Sequence, residues 1–199
     1  MNQNPTQENE RNIPSIILTK AFTGDPFFSW LFPGEKHQEA LYKWWDFLAQ
    51  NAKINPQWIL TSDPTESTSS IWTKPVEGSI ESDPDDAQTA FINLVQGLVG
   101  DRLPKVLEVF AEVNASHPKE PHWYLQAVGT VPQMQGRGIA AKILKPILEI
   151  CDAEGVGAYL ESTNPRNLSF YYRLGFNVKT ELLMDGGKAA LTCMWREPT

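Results

Sequence analysis

From Trp123 to Ser162 the chain reads strand, loop, helix, strand, and that order constrains the fold more than any other stretch. "HWYLQAVGT" and "VGAYLEST" carry the β-branched and aromatic residues of strands. Between them "GIAAKILKPILEICDAEG" places Ile139, Ile143, Ile147 and Cys151 every four residues, beside Ala140, Leu144 and Leu148, which gives a helix one wide apolar face. Pro146 lacks an amide hydrogen and is expected to kink that helix. The result is a single β-α-β unit whose first loop, "VPQMQGR", is long, glycine-bearing and almost free of bulky side chains.

The rest of the chain is arranged around this unit. "SIILTKAF" is an apolar run that leads into a Gly-Asp-Pro turn and the aromatic patch Phe27, Phe28, Trp30, Leu31 and Phe32, read as core with a substrate-pocket wall as the alternative. Leu41, Trp44, Trp45 and Leu48 form a helical stripe in "HQEALYKWWDFLAQNA", read as core. "QWILTSD" and "STSSIWTKP" are expected to pair as a hairpin about Asp63, Pro64 and Thr65. An acidic, proline-bearing linker follows, then two helical stretches near 86–98 and 103–114. The run Asp83, Asp85, Asp86 lacks the later glycine and glutamate of an EF-hand and reads as a solvated helix start. After "VGAYLEST" come a short helix in "PRNLSFYYRLG" and a hairpin of "VKTELLM" and "AALTCMW" around "DGGK". The class is α+β, with strands at both ends, an inserted helical pair at about 83–118, and one domain over 14–199 behind a loose tail at 1–13.

Composition excludes several functions. A formal charge of −7 argues against broad nucleic-acid binding, which depends on Lys and Arg neutralising phosphates. Cys151 and Cys193 sit in apolar surroundings outside any C-x-x-C pair, as buried thiols of a reducing cytoplasm would. The polar start has no signal-peptide core and no run reaches membrane-span length, so no membrane partner is expected. His37, His117 and His122 form no H-E-x-x-H pair, and neither G-x-S-x-G nor a P-loop occurs, so a metal site, a hydrolase elbow and phosphoryl transfer are not indicated.

The loop suits an anion. Free N–H groups at a helix start lie along the positive end of the helix dipole, and Gly136 and Gly138 allow close approach while Arg137 adds a charge. "GRGIAA" also fits G-x-G-x-x-A with Glu161 downstream, as in a dinucleotide fold. Two features oppose that fold: Val131 to Gln135 separate strand from glycine, and too little chain remains for further parallel units.

Two motifs suggest a family. "QGRGIA", Gln135 to Ala140, resembles the Q/R-x-x-G-x-G/A signature of the GNAT acetyltransferases. "NPRNLSFYYRLGF", Asn164 to Phe176 and about 30 residues on, resembles the same family's second signature, an asparagine followed by a tyrosine and R/K-L-G-F. "PKEPHWYLQAVGTVP" and "IWTKP" extend the resemblance over roughly residues 71–196, towards the puromycin N-acetyltransferase branch; the first 70 residues agree only in layout.

That resemblance implies a mixed, mostly antiparallel central sheet flanked by helices and splayed around a cleft for acetyl-CoA; the composition adds a cytoplasmic setting, and the oligomeric state is open between monomer and homodimer. Val128, Gly129 and Thr130 would pair with the pantetheine arm. Gln135, Gly136, Arg137, Gly138, Ile139, Ala140 and Ala141 would hold the pyrophosphate, and Asn164 would hydrogen-bond the cofactor. Tyr171 falls where the family places a tyrosine near the cofactor sulfur, as a general acid for the leaving thiolate, with Tyr172 structural. An N–H near Val128 would stabilise the oxyanion. The base is open among Glu161, Glu120 and His122, and the expected acceptor is the primary amine of a small molecule, an aminonucleoside, antibiotic or other metabolite. A non-catalytic acyl-CoA sensor, and an acetyltransferase of a protein or peptide amine, are the alternatives.

Overall fold

The computed structural model describes residues 12–75 and 84–199. Residues 1–11 of the expected tail, and the linker 76–83 with Asp83, lie outside the described residues. Asn12 and Ile13 fall within the expected tail yet are built into the fold. Asn12 is 5% exposed and donates to Asp46, and Ile13 begins a helix.

The elements are α1 (Ile13–Phe22), α2 (Pro26–Leu31), α3 (His37–Ile54), β1 (Trp58–Ser62), β2 (Thr68–Thr73), α4 (Pro84–Val99), α5 (Leu103–Ser116), β3 (Trp123–Thr130), α6 (Ile139–Glu154), β4 (Ala158–Ser162), α7 (Leu168–Arg173), β5 (Asn177–Met184) and β6 (Ala189–Arg196). The start corrects the expectation of strands at both ends: the opening apolar run is helix α1. Pro14 sits in its first turn, where a missing N–H costs nothing, and Ile17 and Leu18 are its buried face. Pattern alone cannot separate a short β-branched run in a strand from one in a buried helix.

All six strands join one sheet in the order β1-β2-β3-β4-β6-β5. Every neighbouring pair is antiparallel except β3–β4, the parallel pair made by the α6 crossover. Helix α6 runs unbroken through Pro146, which lies on its exposed side, while Leu144, Ile147, Leu148 and Cys151 are buried.

Register contains one irregularity that matters. Ile71 pairs with Ala127 and Trp72 with Leu125, so Gln126 has no partner on β2. The extra residue switches the face on which later side chains point. Leu125 accordingly packs in the cluster of α6 and α7, whereas Ala127 packs in the cluster of α1–α5. Two residues further, a Cβ at Gly129 would lie 2.7 Å from the Ala21 Cβ and 3.0 Å from Leu18 Cδ2. Only glycine lets α1 approach β3 this closely.

The helical pair is tied to the body by polar contacts. Arg102 donates to the Leu31 and Trp30 carbonyls at 2.9 and 2.8 Å and lies over the Trp30 ring. Trp30 Nε1 donates to Asp185 at 3.0 Å, and Lys105 pairs with the same carboxylate, fixing α2, α5 and the β5–β6 turn together.

Candidate active site

Strands β3 and β4 pair at Trp123–Ala158 and Tyr124–Tyr159 and no further, while β3 continues along β2 to Thr130 and β4 along β6 to Ser162. The parallel pair therefore opens like a V towards the C-terminal ends of its strands. Backbone groups of Leu125 to Thr130 on that side have no strand partner and face the opening, and the bulge at Gln126 lies where it begins.

The loop leaving β3 ends on the N-terminus of α6. A 3-10 turn at Pro132–Met134 starts it, and the Gln135 side chain bonds back to the Thr130 carbonyl at 3.1 Å. Gly136 and Gly138 have φ of 73° and 75°, the left-handed region in which other residues are strained. The first helical bond runs from Lys142 N–H to Gly138, and no side chain caps the helix. The N–H groups of Ile139, Ala140 and Ala141 thus point out of an uncapped helix start, with Arg137 exposed beside them. These features fit the diphosphate of coenzyme A, and the open edge of β3 fits an amide-bearing arm.

Tyr171 is 7% exposed and lines a cavity of about 420 Å³, whereas Tyr172 is 50% exposed and does not. Burial, and after it the charge of Asp25, hold the Tyr171 phenol above its ordinary range, so it is neutral at physiological pH. Asp25 is the N-cap of α2: one oxygen accepts from the Phe27 and Phe28 amides at 3.0 and 3.2 Å, the other from the Thr163 hydroxyl at 2.6 Å. Burial pushes the Asp25 carboxyl up, and these bonds pull against it.

Aromatic rings form the cavity's far wall. Phe28 lies 5.1 Å from Trp45 and 5.2 Å from Phe22 between ring centroids, and Trp44 lies 5.7 Å from Phe91 of α4 and 6.1 Å from Phe110 of α5. The patch after the Gly-Asp-Pro turn is therefore both core and pocket wall, and Trp44, read as core, also lines the cavity. Among the described residues the lining holds no Lys or Arg, and its one carboxylate is Glu161.

Glu161 has a side chain only 7% exposed and sits 3.4 Å from His117 Nδ1. His117 Nε2 lies 3.0 Å from His122 Nε2, and His122 Nδ1 lies 2.6 Å from the Glu120 carbonyl. Burial lowers the His122 imidazole below its usual value. Burial and then the Glu161 charge raise the phenols of Tyr124 and Tyr159.

Of the residues named from sequence, Val128 and Tyr171 line the cavity. Val128, Gly129 and Thr130 lie on the open strand, and 135–141 form the loop and helix start. Gly129 has a second use, the close approach of α1. Asn164 is not in the cavity lining; its Oδ1 accepts from the Arg166 amide at 3.1 Å and caps the turn before α7, while Asn167 reaches the cavity. Among the candidate bases, Glu120 meets His122 through its backbone carbonyl, and Glu161 alone puts a carboxylate into the cavity. Sequence reading missed Asp25, Thr163, Asn167 and His117. Asp25 carried a signal, as an aspartate directly before a proline and an apolar helix.

The profile of the acetyltransferase (GNAT) family matches residues 76–176. An uncharacterized N-acetyltransferase of Schizosaccharomyces pombe is 40% identical over 78 residues, which are 38% of this chain and 32% of that protein, so the chain matches about a third of the relative's length. Two solved structures share the fold across nearly the whole chain. A histone acetyltransferase HPA2 and related acetyltransferase of Corynebacterium glutamicum has a TM-score of 0.66 at 20% identity, over 96% of this chain and 94% of that one. Arylalkylamine N-acetyltransferase 2 of Aedes aegypti has a TM-score of 0.57 at 12% identity, over 96% and 98%. With a family match over half its length, a splayed parallel strand pair and an uncapped glycine loop where the family's motifs fall, the chain belongs to the acetyltransferase (GNAT) family.

Proposed function

We propose that the chain transfers an acetyl group from acetyl-CoA directly to the primary amine of a small molecule with an apolar body. The observation that carries this reading is the aromatic cavity of about 420 Å³ that holds both Tyr171 and Glu161. A cavity of this size encloses a drug-sized molecule. Phe91 and Phe110 of the helical pair add to its apolar wall. With one carboxylate and no cation among its described lining residues, it favours an ammonium group and disfavours acceptors that carry an anion.

Acetyl-CoA supplies the thioester carbonyl. Gly136 to Ala141 would hold its diphosphate, and Val128 to Thr130 its arm. Glu161 takes a proton from the ammonium, an unpaired β3 N–H near Val128 stabilises the oxyanion, and the neutral Tyr171 hydroxyl protonates the departing sulfur. The kinship with the puromycin N-acetyltransferase branch rests on "PKEPHWYLQAVGTVP" and "IWTKP", and points to an aminonucleoside or a similar aromatic amine. Two buried free thiols, Cys151 and Cys193, suit a cytoplasmic setting, and no described helix is long and apolar enough to cross a membrane.

The test has two stages. Acetyl-CoA at about 100 times its dissociation constant should stabilise the protein by about 2.7 kcal/mol in a thermal-shift titration, while NAD should not. Thiol release is then followed with 2-phenylethylamine, puromycin, spermidine and a lysine-terminated peptide. Turnover of the first two supports the reading. Stabilisation without thiol release from any amine leaves an acyl-CoA sensor, and preference for the peptide moves the acceptor to proteins.

A further inference from the structure

The deprotonation of an ammonium inside an aromatic-walled cavity raises a problem that the site must solve. Acetylation of R–NH3+ releases two protons: one ends on the sulfur through Tyr171, and the other must reach solvent. The Glu161 side chain is only 7% exposed, and the groups packed around it on β3, β4 and β6 are Tyr124, Tyr159 and Cys193. Burial holds the Cys193 thiol up, as burial and the Glu161 charge hold up the two phenols, so none of the three accepts a proton from it.

His117 is the exception. It follows directly on α5, and its ring is held by the edges of Tyr124 and Tyr159, each 4.8 Å away between centroids, and by His122 at the same distance. His122 leans on Trp195, which in turn lies under Lys179 at 5.8 Å. Hydrogen bonding fixes the tautomers. A backbone carbonyl only accepts, so His122 Nδ1 carries a hydrogen for the Glu120 oxygen at 2.6 Å. A neutral His122 then offers a lone pair at Nε2, and His117 Nε2, 3.0 Å away, must be the donor. That leaves the His117 Nδ1 lone pair facing Glu161. Among the described residues no group of three or more His, Cys, Asp or Glu is arranged to hold a metal ion.

Resting on the reading of this site as an amine acetyltransferase, we infer that Glu161, His117 and His122 form a proton outlet from the acceptor cavity to the rim. The Glu161 carboxylate takes one proton from the ammonium and passes it to His117 Nδ1. His117 releases its Nε2 hydrogen to His122 Nε2. His122 then gives up its Nδ1 hydrogen to water beside the exposed Glu120. One proton leaves per turnover and both histidines end in the opposite tautomer; each regains its starting form by neutral exchange with water, losing one ring hydrogen and taking up the other, so that no proton returns to Glu161. Glu161 touches the substrate; the histidines act through it.

Two measurements test the outlet. Nitrogen-15 NMR of histidine-labelled protein reads the tautomers without any substrate: neutral His122 should carry its hydrogen on Nδ1 and His117 on Nε2. The opposite assignment removes the path and overturns the inference. The kinetic arm uses the fastest amine of the panel. His117→Gln and His122→Gln should each lower kcat about tenfold at neutral pH, a fraction of what positioned acid–base groups contribute. The deficit should shrink as pH rises towards that of the free amine and should be relieved by added imidazole, with acetyl-CoA binding unchanged. A loss equal at every pH and insensitive to imidazole would mean that the histidines only hold the fold. Failure of acetyl-CoA to bind the wild-type protein refutes the acetyltransferase reading instead, and the NMR result still decides the tautomers.

Discussion

The two halves of the cleft are built by opposite means. On the side proposed for the cofactor the groups are backbone amides, presented by an exposed loop with two left-handed glycines and a helix that no side chain caps. On the acceptor side they are side chains, contributed by α1 to α5, β3, β4 and α7 and buried against one another. A site made of backbone needs a short stretch of chain with the right conformation. A site made of side chains needs a tertiary structure, and it can change its ligand by changing one ring while the other half stays the same. In the proposed reaction Tyr171, which lines the cavity, stands at the meeting of the two.

Removing the group at that meeting should have the largest effect. Tyr171→Phe is expected to lower kcat by about 100- to 10,000-fold while leaving acetyl-CoA affinity and amine KM within about twofold, measured by steady-state thiol release and calorimetry. An unchanged kcat would separate Tyr171 from the chemistry. The cofactor side alone is probed by Gly138→Ala, which forces a side chain into φ of 75° at a strain of about 1–2 kcal/mol. Acetyl-CoA affinity should fall about tenfold with amine KM unchanged. Loss on both sides together would break the division drawn above.

A third test lies outside both halves, in the turn that joins β1 to β2. Asp63 is 6% exposed; burial pushes its carboxyl up, but the Thr65 hydroxyl and the amides of Ser67, Thr65 and Thr68 outweigh this and hold it at about 2, below its ordinary 3.8. Because the folded value is the lower one, the stabilisation is present above about pH 4 and is lost as pH falls towards 2. Asp63→Asn should cost about 1–2 kcal/mol at pH 7 and much less at pH 2 in chemical denaturation, with both affinities kept. The smallest expected effect is that of Phe110→Leu, which trims one ring of the aromatic wall. It should raise KM for an aromatic amine about threefold, for about 0.7 kcal/mol of lost ring contact, and leave acetyl-CoA binding alone.

Much of this division was legible before the structure. The β-α-β unit, the β1–β2 and β5–β6 hairpins, both inserted helices and the loop at Gln135–Ala141 are local features, each written in periodicity or in glycine and proline placement. Motif register singled out Tyr171 over Tyr172, and in the fold Tyr171 is buried while Tyr172 is exposed. What escaped was whatever depends on distant partners. The opening run carried no local mark that separates helix from strand, and its α1 packs closely on β3 at Gly129. The bulge at Gln126 leaves no mark in composition. Asp25 meets Thr163 across 138 positions of chain, and His117 meets Glu161 across 44.

The sequence by itself determined the order of elements, the glycine loop that presents amides and the tyrosine of the α7 turn, because each depends on conformational preferences over fewer than about four residues or one helical period. Only the tertiary structure decided where the sheet splits, which rings wall the aromatic cavity and which carboxylate enters it. Those follow from burying surfaces of many elements at once, and a contact between residues far apart in the chain has no local signature.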